Sequence, residues 1–164
     1  MDSVISIREP DALALVQSLL QQGIVVRIRV SGNSMRPLLQ SGDLVDIAPL
    51  AGIPRLGDIL FFLRKDGTPL VHRLIWQRSQ GNSKLLLLTK GDSCSAFDGF
   101  IPAEQVLGRV QCIIAACSKK NIDLNRLSWC LSARLLVFRT VASHALRRFF
   151  ATTAKAMHSK ILQD

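Results

Sequence analysis

Four short segments carry side chains that could do chemistry, and they come in a fixed order. The first, Ser31-Gly32-Asn33-Ser34-Met35-Arg36-Pro37 with Leu39 and Gly42-Asp43 behind it, presents two hydroxyls in a glycine-containing turn. The second is Leu56-Gly57-Asp58-Ile59-Leu60-Phe61-Phe62, and the third, Leu70-Val71-His72-Arg73-Leu74-Ile75, carries an imidazole beside a guanidinium. The fourth is Leu88-Thr89-Lys90-Gly91-Asp92, followed by Asp98 and then Gly108-Arg109-Val110. A hydroxyl, an imidazole and a carboxylate are the parts of nucleophilic acyl transfer, because a serine oxygen attacks well only when a base removes its proton. Each segment alone has an ordinary reading. A serine in such a turn serves turn chemistry, a histidine on an alternating strand is a half-buried structural residue, and a carboxylate in the polar loop from Ser93 to Gly99 is solvated. Gly42-Asp43 and Gly57-Asp58 read as structural turns, Met35 as core residue and pocket floor together, and Arg73 as a solvated partner for a carboxylate.

Taken together, the four segments resemble the signal peptidase family and the related self-cleaving repressor proteases over about residues 24–112. The resemblance implies Ser34 as nucleophile, since the family's serine sits between a glycine-containing turn and Met-x-Pro. At the base position, where bacterial signal peptidases and the repressors carry lysine, this chain has His72, followed by Arg73. That form is similar to the archaeal and endoplasmic-reticulum branch, in which an acidic residue completes the set; Asp98 matches it best and Asp92 is the alternative. A histidine titrates near ~6.5 in water, so it can take the serine proton and hand it to the leaving amine. Asp98 would hold the imidazole in the right tautomer and stabilise the cation that forms. Ser34 N–H is the expected first oxyanion donor, with Ser31, Gly32, Asn33 and Met35 forming the substrate and oxyanion surroundings. Gly32, without a Cβ, would let an extended substrate lie against the chain as an added strand. Arg73 and Asp92 are supporting residues. No cofactor and no metal are implied, and small, Ala-like residues are expected before the scissile bond of a peptide or protein substrate.

The elements that must position these residues are short. Pro10 followed by Leu13, Val16, Leu19 and Leu20, with Gly23 behind, predicts an amphipathic helix closed by glycine. Ile24–Val30 alternates as a strand does, and a short helical segment is expected after Pro37, ending at Ser41-Gly42-Asp43. Further strands are expected at Leu44–Ala48, Asp58–Leu63, Leu70–Arg78, Lys84–Thr89 and Val106–Ala115, separated by Gly, Pro, Asp or Asn. The fold class is therefore mainly β, a compact barrel or sandwich of short strands with a short N-terminal helix and a basic C-terminal helical appendage. From about Asn121 the period changes: Leu127, Leu131, Leu135, Phe138, Ala142, Ala145 and Phe149 share one helical face. This divides the chain into a catalytic domain, 1–118, and a basic amphipathic segment, 119–164.

The 164 residues suit one core, and with 48% hydrophobic and 20% charged residues the chain is too apolar for disorder. Its net charge of +9 belongs mostly to the tail, where residues 119–164 carry nine Lys/Arg against two Asp/Glu. Basic charge beside an apolar helical face suits an anionic membrane surface, with packing of that face on the β domain as the competing reading. Nucleic acid is disfavoured as a partner, because the one short helix before Ile24 cannot supply the DNA-binding domain of a repressor. No run reaches the roughly 18 apolar residues of a spanning helix, and Asp2, Arg8, Glu9 and Asp11 interrupt any leader-like stretch. A cytoplasmic protein, peripheral at most on the membrane's cytoplasmic face, is expected. The four cysteines, at 94, 112, 117 and 130, form no C-x-x-C pair and read as reduced thiols, the two within Val110–Cys117 as small buried side chains. The competing class is a non-catalytic peptide- or membrane-surface-binding module, or a repressor-type self-cleaving regulator.

Overall fold

The computed structural model describes residues 10–80, 84–118, 121–125, 137 and 141. Helix α1, Pro10–Gln21, ends where predicted: Gly23 takes φ +84°, and Ile24 N–H donates to Leu19 O at 3.0 Å, satisfying a carbonyl the helix leaves open. Eight antiparallel strands form one sheet: β1 (Val26–Arg29), β2 (Leu44–Pro49), β3 (Ile59–Leu63), β4 (Pro69–Gln80), β5 (Lys84–Lys90), β6 (Phe100–Pro102), β7 (Val106–Ile114) and β8 (Asn121–Asp123). The order across the sheet is β1-β2-β7-β3-β4-β5-β6, with β8 paired to β7 off this path. The mainly β class with one short N-terminal helix is thus as expected. Strands β6 and β8 carry no alternation in sequence, being three residues each, and they form because β5 and β7 offer unpaired edges.

Strand β3 explains the arrangement of the core. Its run Ile-Leu-Phe-Phe is buried on both faces, as expected of a central strand with cover on each side. Ile59 and Phe61 join α1, β1, β2 and β7 in one apolar cluster with Met35 and Leu39; Leu60 and Phe62 join Leu74, Leu87 and Ile101 in a second. Neighbours along β3 therefore serve different cores, and so do neighbours on β4 paired with them.

Three expectations are corrected. No helix follows Pro37: residues 34–38 form turns, in which Leu39 N–H donates to Met35 O at 3.0 Å, since proline lacks an N–H and pushes the residue before it out of helical geometry. The strand at Ile24–Val30 shrinks to Val26–Arg29; Val26 and Ile28 are buried as the alternation requires, while Ile24 and Val25 are exposed. Of the cysteines expected to be buried, Cys112 is half-buried and Cys117 exposed, because Val110 and Ile113 take the inward positions of β7 around a register shift and Cys117 lies in the turn beyond it. Burial and the carboxylates of Asp46 and Asp123 push the Cys112 thiol pKa up.

The helical face Leu127–Phe149 lies outside the described residues, as does Cys130. Val137 and Val141 are described, both helical; Val137 is buried, and the two line an apolar cavity of about 650 Å³ with Ile53, Leu56, Ile75 and Trp76. No helix among the described residues is long and apolar enough to cross a membrane.

Candidate active site

Two connections and a strand bring the sequence-predicted residues together. Ser34 lies in the β1–β2 connection, pinched at its base where Val30 N–H donates to Asp43 O at 2.8 Å and Gly42 N–H to Val30 O at 2.9 Å. His72 stands on β4 opposite Leu60, so its side chain shares the second core's face, and its ring meets that of Phe62 edge-on at 6.4 Å. Asp98 closes the β5–β6 loop, whose end is held by Asp98 N–H donating to Thr89 O at 3.0 Å.

The side chains form one continuous chain. His72 Nε2 lies 2.9 Å from Ser34 Oγ, and His72 Nδ1 lies 2.7 Å from Asp98 Oδ2. An ionised carboxylate only accepts, so Nδ1 carries the proton of the neutral imidazole and Nε2 is left to accept from the serine hydroxyl. Asp98 Oδ2 also accepts from Thr89 Oγ1 at 2.9 Å. His72 is 5% exposed and Thr89 fully buried, which strengthens these bonds by excluding water.

Asp92 does not approach the histidine. Its two carboxylate oxygens take Arg73 Nε at 2.8 Å and Nη2 at 2.6 Å, and Arg73 Nη1 donates to Gly57 O at 2.9 Å. The alternative of Asp92 assisting His72 therefore gives way to Asp98. The expectation of a solvated Arg73 is corrected as well: its residue is 1% exposed, because β4 alternation turns it to the face opposite His72. Asp43 and Asp58 are structural, as read: Asp43 accepts from Gln40 N–H and Ala116 N–H, and Asp58 from Arg55 N–H.

Beside Ser34 runs an open groove of about 740 Å³. Ile28–Val30 at the end of β1 and Pro69–Val71 at the start of β4 border it, with Met35, Leu39 and Phe61 among its lining residues. Ser31 and Gly32 line it too, and Asn33 does not. Gly32 has φ +103°, a conformation that favours glycine, and a Cβ there would meet nothing within 4 Å, so the space above it is free. Met35 is at once core residue and groove wall.

Three contributors were given no role of their own in the sequence. A Cβ on Gly91 would stand 2.7 Å from Ser34 O and from Cys94 Sγ, and 3.1 Å from His72 Nε2, so only glycine allows this loop to close on the site. The spacing of Lys90-Gly91-Asp92 marks the position but not its cause. Thr89 and Ser93 gave no signal, since a strand-end threonine and a loop serine are commonplace.

No family model matches the chain. It is 33% identical over 70 residues to the signal peptidase complex catalytic subunit SEC11 of Eremothecium gossypii, a match covering 42% of each chain. The corresponding subunit of Debaryomyces hansenii matches at 31% over 70 residues, again 42% of each. That of Pyrenophora tritici-repentis matches at 30% over 110 residues, 61% of this chain and 64% of the relative. The chain is related to signal peptidase catalytic subunits. The similarity agrees with the signal peptidase superfamily and with its endoplasmic-reticulum-type branch. The matches span between 42% and 64% of the relatives' own length.

Proposed function

We propose that this protein is a serine endopeptidase of signal-peptidase type that removes a leader or signal-like segment from a peptide or protein substrate. The observation that carries this reading is the unbroken chain from Ser34 Oγ through His72 to Asp98, opening beside a groove bordered by two strand ends. A substrate in extended form adds to the sheet between the end of β1 and the start of β4, where Pro69–His72 have no partner in β5. Ser34 Oγ attacks the scissile carbonyl as its proton passes to His72 Nε2, and Asp98 stabilises the imidazolium so formed. The Ser34 N–H receives the developing oxyanion; among the described residues it has no acceptor. His72 then delivers the proton to the leaving amine, and water repeats the cycle on the acyl-enzyme. Small residues before the scissile bond are part of the same reading. The +7 of residues 119–164 supports contact with an anionic membrane surface as part of the same reading.

Cleavage of peptides with Ala-x-Ala ends, by the wild type and by Ser34→Ala, tests the proposal. Cleavage by the wild type and none by the variant is the expected result; equal cleavage by both overturns it. Sedimentation with anionic and neutral vesicles tests the membrane contact, which fails if neither pellets the protein.

A further inference from the structure

One residue of the β5–β6 loop grips the nucleophile turn twice. Ser93 Oγ donates to Asn33 O at 2.8 Å, and Ser93 N–H donates to Ser34 O at 2.9 Å. These carbonyls belong to the two successive peptide groups on either side of Ser34. The first group also contains the Ser34 N–H. In a trans peptide the C=O and N–H point in opposite directions, and Arg36–Pro37 is the cis bond of the described residues, not this one. With Asn33 O turned to Ser93, and further engaged by Arg36 N–H at 3.2 Å, the Ser34 N–H is turned away from the 91–98 loop. The groove is lined by Ser31, Gly32, Ser34 and Met35 and by no residue of that loop.

We propose that Ser93 is a positioning residue for the oxyanion site: it locks both peptide planes flanking Ser34 so that the Ser34 N–H is aimed at the groove before substrate arrives. The inference rests on the peptidase reading above and adds the device that preorganises its donor. A turn rich in serine, glycine and asparagine has many accessible conformations, and a donor that must reorient during the reaction stabilises the transition state less than one already fixed. Because Ser93 touches neither His72 nor Asp98 in the contacts described, its loss should spare the base. The same loop carries Asp98 on its far end, so one segment sets both the orienting carboxylate and the oxyanion donor.

The test compares full-length wild type with Ser93→Ala, Ser93→Thr and Ser34→Ala on an Ala-x-Ala peptide, with melting curves to check folding. Ser93→Ala should lower kcat roughly tenfold to a hundredfold, the scale of a small misplacement at a reacting centre. KM should stay within about twofold and the acid limb of the pH profile should not move, as expected when only transition-state binding is lost. Binding of a peptide boronic acid, which forms a tetrahedral adduct on serine, should weaken by the same factor. Ser93→Thr keeps the hydroxyl and should restore the rate. Wild-type kcat in Ser93→Ala, or a loss that threonine does not restore, overturns the clamp while leaving the peptidase reading standing. Equal cleavage by Ser34→Ala overturns the peptidase reading, and the clamp with it.

Discussion

Adjacent residues on β4, His72 and Arg73, each pair with an aspartate of the same loop, yet the two pairs do different work. His72 Nδ1 meets Asp98 at 2.7 Å and Arg73 Nη2 meets Asp92 at 2.6 Å, and both carboxylates are 14% exposed. Burial therefore does not separate them. The separation lies in the partner of each carboxylate and in that partner's remaining contacts. Arg73 spends its donors on Asp92 and Gly57 O, so it ties the β5–β6 loop to the turn before β3. His72 has one nitrogen left, and that nitrogen faces Ser34 Oγ. One pair leaves a ring nitrogen facing a hydroxyl beside the groove, and the other ties two segments of the chain together.

Removing the hydroxyl or the imidazole that faces it should produce the largest effect. Ser34→Ala and His72→Ala are each expected to lower kcat by roughly 10⁶-fold, the scale of losses in serine-protease triads, while Ser34→Ala melts close to wild type. kcat/KM against pH, measured for wild type and His72→Ala, checks the assignment of the base. An unchanged acid limb in His72→Ala, with substantial activity, would move the base elsewhere, to Lys90 first.

Asp98→Asn comes next, with kcat falling by roughly 10⁴-fold because the amide can hold the wrong tautomer. Its melting temperature should change little. Asp92→Asn measured beside it sharpens the contrast: stability should fall and the acid limb remain. Equal rate losses in the two variants would erase the distinction drawn here.

Arg73→Met should cost about 3–5 kcal/mol in a denaturant titration, since it leaves Asp92 charged and unpaired in a mostly buried place. The double variant Arg73→Met with Asp92→Leu should recover most of that loss, replacing a buried ion pair by apolar packing. Recovery of stability with activity intact would show the pair to be purely structural. Thr89→Val should have the smallest effect, about 1 kcal/mol in kcat/KM, for one lost hydrogen bond to Asp98.

Much of this was legible in the order of residues. The Gly23 stop, the alternation at Val26 and Ile28, and the doubly buried run of β3 follow from local patterns with a period or a required backbone angle. Ser34, His72 and Asp98 were legible because their segments keep the order and spacing of a known family. Arg73 was misjudged because a guanidinium is solvated by default, and its burial depends on a carboxylate 19 residues away that no local pattern announces.

The sequence by itself determined which groups are available and which strands are amphipathic, since both depend on side-chain type and on a period of two. Only the tertiary structure decided which aspartate meets His72 and which meets Arg73. The pleat of β4 sends His72 and Arg73 to opposite faces, and the β5–β6 loop, narrowed by Gly91, brings Asp98 to one face and Asp92 to the other. Ser93 shows the same limit, for its two hydrogen bonds reach back about 60 residues along the chain. Such partners are set by how strands register across a sheet, a non-local outcome of burying two cores at once.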